Sequence, residues 1–263
     1  VKILALRCAS TLAVPSGIEV VDLSAVPDRK ELKAADTAAK AALPHDPTPT
    51  LAEIASRPDV SHQGAPEFAP QPVDEPLRLV VIGSDAALSA VLTRAMRADY
   101  LWAHVALIPE GSSTAAKNWG LPSGRAEQWA LASEGTVKPA PLIRNDQAVA
   151  VAGSAGIRDW DGKRFTGEIV VDNSVLARSE GYGARLVPTL GAPGIAAVRA
   201  TAPETGWRAK FRPALDPESL LTGRAVQAGG PKLRVTVDGV SHKRPVERVT
   251  FYRHLRDLQV VRP

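Results

Sequence analysis

The sequence predicts two successive parts: an α/β domain built on a parallel sheet, then a β-rich domain, a sandwich or flattened barrel. Three observations lead there. Residues 77–122 read as two strand–turn–helix units in tandem. After Pro122 the pattern changes to short apolar runs divided by turn signals at fairly even spacing. A chain of 263 residues is also long enough for two modest cores.

Taken in order, residues 2–9 give a buried first strand. The stretch 41–76 is polar and is interrupted by Pro44, Pro47, Pro49, Pro58, Pro66, Pro70, Pro72 and Pro76, with periodicity only at 51–56, so it is expected as loop or linker. In the first unit, Leu79, Val80, Val81 and Ile82 form a short β-branched run stopped by Gly83. Ser84 or Asp85 can cap the helix that follows, whose apolar stripe is Leu88, Val91, Leu92, Ala95 and Met96. The second unit has a strand over 103–108, a turn at Pro109-Glu110-Gly111, and a short helix capped by Ser112, Ser113 or Thr114 that ends near Gly120. Strands are then expected at 147–153, 168–171, 194–200, 207–211 and 233–237. Turns are expected at Asp161-Gly162, Gly181-Tyr182-Gly183, 191–194, Gly229-Gly230-Pro231 and Asp238-Gly239.

Two helix N-termini opening on one edge of a parallel sheet make a natural anion site, because free N–H groups and the positive ends of helix dipoles both favour phosphate. Many α/β domains have such turns and bind nothing there.

These two turns, their separation and the closing Trp119-Gly120-Leu121-Pro122 resemble the diacylglycerol kinase catalytic-domain family, which includes sphingosine kinases and is distantly related to NAD kinases. The family's first turn reads G-G-D-G-T and its second P-x-G-T-x-N-D-x-A-R, then L-G-I-P. This chain has Gly83-Ser84-Asp85-Ala86-Ala87 and Pro109-Glu110-Gly111-Ser112-Ser113-Thr114-Ala115-Ala116-Lys117-Asn118. The resemblance implies an α/β nucleotide-binding domain over residues 1–124, with the Pro-rich segment 41–76 inside it, followed by a β-sandwich domain over 125–263 and an active site in the cleft between them. It implies ATP and Mg²⁺ as ligands, with Gly83, Ser84, Asp85, Gly111, Ser112, Ser113 and Thr114 at the nucleotide and Asp85 at the metal.

The letters have nonetheless drifted. Ser84 and Ala86 put a Cβ where the family has glycines, which strains any position that needs a positive φ. Ala87 removes a hydroxyl, while Thr114 and Ala115 replace an Asn-Asp pair. Lys117 or Arg125 is a further source of charge. The N-P-x-S-G turn expected after the first strand is missing from residues 9–17. Near the end, Asp238-Gly239-Val240 is similar to the family's D-G-E turn, whose acid is assigned as the base that takes the lipid hydroxyl's proton, and Val240 stands where the second acid belongs. Asp238 is therefore the catalytic candidate by resemblance, and a hairpin-turn residue by its own pattern.

Composition narrows the alternatives. Cys8 is the single cysteine, so an intrachain disulfide is excluded and a reducing, cytoplasmic setting is expected, peripheral at most to the inner face of the membrane. No stretch approaches the roughly 20 apolar residues of a membrane span, and no signal sequence is read at the start. The net charge of +4 suits an anionic partner, a nucleotide or a lipid or anionic membrane surface. The tail residues Lys243, Arg244, Arg248, Arg253, His254, Arg256 and Arg262 read either as a phospholipid-facing basic face or as the solvated side of an amphipathic strand pair. Scattered aromatics and the absence of any zinc-finger or helix-turn-helix pattern argue against nucleic acid. His45, His62, His104, His242 and His254 lack ligand spacing, and neither a G-x-S-x-G elbow nor a Walker lysine motif is present. Two readings stay open: an ATP-dependent lipid kinase of phospholipid metabolism with remodelled motifs, and a catalytically silent pseudokinase that binds nucleotide, lipid or protein. The sequence does not give the oligomeric state.

Overall fold

Apolar runs that do not alternate with polar residues require a sheet covered on both faces, and the first part of the chain is built that way. The structure, a computed structural model, describes residues 1–43, 64–70, 73, 75–203 and 214–263. Strands β1 (Lys2–Cys8), β2 (Glu19–Leu23), β3 (Leu77–Gly83) and β4 (His104–Pro109) are parallel neighbours in the order β2-β1-β3-β4. Every residue of β3 is buried. Leu79 and Val81 face one core, with Leu88 and Leu92 of the next helix, whereas Val80 and Ile82 face another that contains Ala132.

Among the described residues, four helices connect or flank these strands: α1 (Lys33–Ala42), α2 (Asp85–Arg97), α3 (Thr114–Trp119) and α4 (Arg125–Glu134). The predicted stripe of α2 is the buried one: Leu88, Val91, Leu92, Ala95 and Met96. Gly120 ends α3 in the left-handed conformation, with φ 68, as a glycine C-cap should. Arg78, 4% exposed, crosses from β3 to the end of α4 and donates to the carbonyls of Ala132 (2.9 Å), Ser133 (2.8 Å) and Gly135 (2.8 Å). A cation there meets both the free carbonyls and the negative end of the dipole.

The later part is antiparallel. After β5 (Val137–Ala140) come β6 (Ile143–Asn145), β7 (Ala150–Val151), β8 (Ala155–Asp159), β9 (Glu168–Val171) and β10 (Ser174–Arg178). They are followed by β11 (Ala184–Pro188), β12 (Ile195–Ala200), β13 (Leu215–Gly223), β14 (Ala225–Val237), β15 (Val240–Ser241) and β16 (Val246–Arg253). Among the described residues, β6 to β16 form one eleven-stranded sheet around a core that includes Ile157, Ile169, Val226, Val235 and Phe251. The last strand, β17 (Leu258–Val261), returns to the first sheet, where it lies parallel to β4 and antiparallel to β5. No helix of the described residues is long and apolar enough to cross a membrane.

Three local expectations change. Gly229-Gly230-Pro231 is not a turn but the bulged middle of β14, where the register with β16 shifts between Gly229 and Leu233. Only Ala150 and Val151 of 147–153 are strand, because the Asn145 side chain accepts from the N–H groups of Gln147 and Val149 and turns the chain there. In the tail, Arg253 is buried against Asp257 at 2.9 Å, while Lys243, Arg244 and Arg248 are exposed. The expectations at 51–56 and 207–211 lie outside the described residues.

Candidate functional site

The chain leaves β1 for β2 on one side and reaches β3 on the other, so the ends of β1 and β3 mark the point where α/β sheets hold ligands. At that point Gly83 has φ 156 and little room for a side chain. A Cβ on it would lie 3.1 Å from the Cys8 Cβ and 3.3 Å from the Cys8 carbonyl oxygen. Ser84 has ordinary extended backbone (φ −83) and accepts from the Ala87 N–H at 3.2 Å, which makes it the N-cap of α2. Ala86 and Ala87 are already inside the helix. The strain expected at Ser84 and Ala86 is thus absent, since neither has a positive φ and the turn passes straight into helix.

The second turn is pinned to the first by a bond from the Glu110 N–H to the Gly83 carbonyl at 3.0 Å. Gly111 has φ 77 and open space around it, as a turn residue needs. Ser113, buried, caps α3 by accepting from the Ala116 N–H at 2.8 Å and donates its hydroxyl to Asp85 Oδ1 at 2.5 Å. The other oxygen of Asp85 accepts from the N–H groups of Thr114 (2.7 Å) and Ala115 (3.3 Å). Asp85, the first residue of α2, therefore closes the N-terminus of α3 as well. Ser112 is exposed and makes no hydrogen bond among the described residues. Arg125 donates to the Pro109 carbonyl and to Gln128, so its charge braces the turn, and Lys117 points to the exposed side of α3.

Asp238 arrives from the opposite sheet. It and Gly239 have φ 49 and 84, the left-handed pair of a two-residue hairpin between β14 and β15. Its carboxylate accepts from the N–H groups of Ala152, Gly153 and Ser154, each at 2.8 Å, and its own N–H donates to the Ser154 carbonyl. Burial pushes the Asp238 carboxyl up to about 7, with Asp85 adding to the rise and the three N–H groups opposing it.

Gly153 sits between the two acids. A Cβ there would be 2.5 Å from Asp85 Oδ2 and 2.8 Å from the Ala115 nitrogen, while the Gly153 carbonyl accepts from Asn118 Nδ2 at 3.0 Å. Arg185 of β11 donates to Thr114 Oγ1 (3.2 Å) and Ser154 Oγ (3.3 Å). Gly83, Ser84, Asp85, Gly111, Ser113, Thr114 and Asp238 are accordingly brought to one junction, and Ser112 stays outside its bonding. Sequence reasoning missed Asn118, Gly153, Ser154 and Arg185 as members. The doublet Gly153-Ser154-Ala155-Gly156 was a visible signal; Arg185 had none.

The junction does not fit Mg²⁺. All three donors at Asp85 present hydrogen, two of them from the positive end of a helix, and the Arg185 guanidinium stands nearby on Thr114. A dication would have to displace these bonds and lie against like charge. Among the described residues no three His, Cys, Asp or Glu side chains cluster as a metal set. Beside the junction, between α2, the segment before α1 and the β14–β15 hairpin, lies a cavity of about 560 Å³.

No protein-family model matches the sequence, and no curated protein matches it. Solved structures do. A diacylglycerol kinase from Bacillus anthracis str. Sterne superposes with TM-score 0.63 at 13% identity, covering 100% of this chain and 97% of that one. A putative diacylglycerol kinase from the same organism gives TM-score 0.62 at 12% identity, with 100% and 97% covered. An NAD kinase from Archaeoglobus fulgidus in complex with ATP gives TM-score 0.48 at 12% identity, with 99% and 93% covered. The mixed α/β sheet and the large antiparallel sheet give this chain the fold of these solved diacylglycerol kinase structures.

Proposed function

We propose that this chain is a catalytically silent protein with the kinase fold, a ligand-binding module rather than a phosphotransferase. One observation carries the reading: Asp85, the acid assigned by resemblance to nucleotide and metal, has both oxygens engaged by Ser113, Thr114 and Ala115. Ala86 and Ala87 in place of loop glycine and threonine, and Val240 in place of an acid, support it from the sequence side. Phosphoryl transfer is almost entirely positioning and charge neutralisation, and these substitutions remove the groups that would do both.

A specific observation favours the second reading, an ATP-dependent kinase acting on a lipid alcohol. Asp238 is pushed up to about 7, the range in which a general base works best. The hairpin geometry and the three N–H bonds give Asp238 a structural role without catalysis, so the silent reading stands ahead. We further propose a division near residue 124, with β17 tying the later part back onto the first sheet. The single core enclosed by the antiparallel sheet supports taking that part as a sandwich.

The test is incubation with Mg²⁺ and γ-labelled ATP in the presence of diacylglycerol, a sphingoid base or NAD. No labelled product is expected; product that Asp238→Asn abolishes would overturn the proposal.

A further inference from the structure

The cavity beside α2 differs in chemistry from the junction next to it. Among the described residues, three arginines line it (Arg29, Arg94 and Arg97), with His242 and no carboxylate, although the chain as a whole carries 28 Asp and Glu against 32 Lys and Arg. Arg94 is neutralised by a two-toothed pair with Asp36, its guanidinium nitrogens 2.6 to 3.1 Å from the two carboxylate oxygens. Arg97 is held by the carbonyls of Ala148 (3.1 Å) and Gln147 (2.9 Å), which fix its position and leave its charge without a counter-ion among the described residues. Arg29 makes no hydrogen bond or ion pair among the described residues.

The apolar lining is the second observation. The remaining walls are apolar: Val26 and Leu32 from the segment leading into α1, Val149 from the turn before β7, and Val240 from the hairpin. At about 560 Å³ the space lies within the range of small-molecule sites.

We infer that this cavity binds an anionic amphiphile, with a phosphate or carboxylate head at Arg29 and Arg97 and a hydrocarbon body against the valine and leucine walls. The inference rests on the reading of the fold as a binding module and gives its ligand a chemical class. Ala86 follows Asp85 and Val237 precedes Asp238 in the lining, so an occupant bridges the two sheets at the junction. The polar end needs charge and donors, which the arginines supply. The apolar end needs walls without unsatisfied groups, which the aliphatic side chains supply.

The experiment is calorimetric titration of the full chain with octyl phosphate, octanoate, octanol and inorganic phosphate. One saturable site is expected for the two amphiphilic anions, at least tenfold tighter than for octanol or inorganic phosphate. The arms separate the sources: a preference for octyl phosphate marks a phosphate head, a preference for octanoate a carboxylate. The double variant Arg29→Ala with Arg97→Ala is expected to weaken the anions at least tenfold and leave octanol unchanged. Ala90→Phe, on the cavity face of α2, is expected to block the anions and octanol alike. No saturation by either anion, octanol binding as tightly as both, or binding that neither variant alters would each overturn the inference. The non-phosphorylating reading would survive those results, because it is decided by product formation.

Discussion

Removing the Asp85 carboxylate should destabilise the fold. In Asp85→Ala the Thr114 N–H, the Ala115 N–H and the Ser113 hydroxyl lose their acceptor together, and Ser113 (5% exposed) and Ala115 (0%) are out of reach of water. A hydrogen bond to a charged group contributes roughly 1.5–3 kcal/mol net, and loss of a helix N-cap costs roughly 0.5–2 kcal/mol. The three bonds share one carboxylate and are not additive, so a total of about 2–4 kcal/mol follows. For a chain of this size each kcal/mol shifts Tm by roughly 2–4 °C, which gives a fall of about 4–16 °C. Thermal melts, with urea titrations that show a lower midpoint at unchanged slope, measure it. Asp85→Asn should recover only part of the loss, since its amide turns donors toward donors. The sign carries the argument. Strained active-site groups commonly stabilise a protein when removed, so a Tm unchanged or raised in Asp85→Ala would refute the structural role.

Three further expectations follow from other bonds. Arg78→Met leaves the last carbonyls of α4 buried without a donor and should cost about 2–4 kcal/mol, read as a lower urea midpoint, with the greatest loss of amide-exchange protection in α4. Gly153→Ala sets a methyl against the Asp85 carboxylate and the Ala115 nitrogen, so about 1–3 kcal/mol of stability should be lost, and protection of the Thr114 and Ala115 amides with it. Asp238 gives a pH signature. Its folded carboxyl keeps a proton to about pH 7 while an unfolded aspartate releases its own near pH 4, so the folded state binds more protons in between. Its contribution to stability is full below about pH 4 and is lost as pH rises through about 7. A carbon-13 titration of the side chain with a midpoint below 5 would contradict this.

Local signals made the first half of the fold readable. The unbroken run ending at Gly83, the stripe from Leu88 to Met96 and the Ser113-to-Gly120 helix all form as their letters predict, because burial on both faces and capping are decided within a dozen residues. The bulge at Gly229-Gly230-Pro231 was misread because glycine and proline mark a turn and an interrupted strand with the same letters. The return of β17 to the first sheet could not be read locally, since a four-residue apolar strand carries no address. At the site, resemblance placed Asp85 and Asp238 together, but which groups their oxygens face depends on Gly153 and on where α3 begins. The Arg185 contact spans 71 residues to Thr114, and no periodicity records such a distance.

The most direct trial of the account is the fate of the γ-phosphate at about pH 8.5, where Asp238, with a pKa of about 7, is ionised and any basic function it has is fully available. Wild type and Asp238→Asn would be incubated with Mg²⁺, labelled ATP and the panel of lipid alcohols and NAD. The account predicts no labelled product from either protein. Label transferred by the wild type and lost in Asp238→Asn would contradict it.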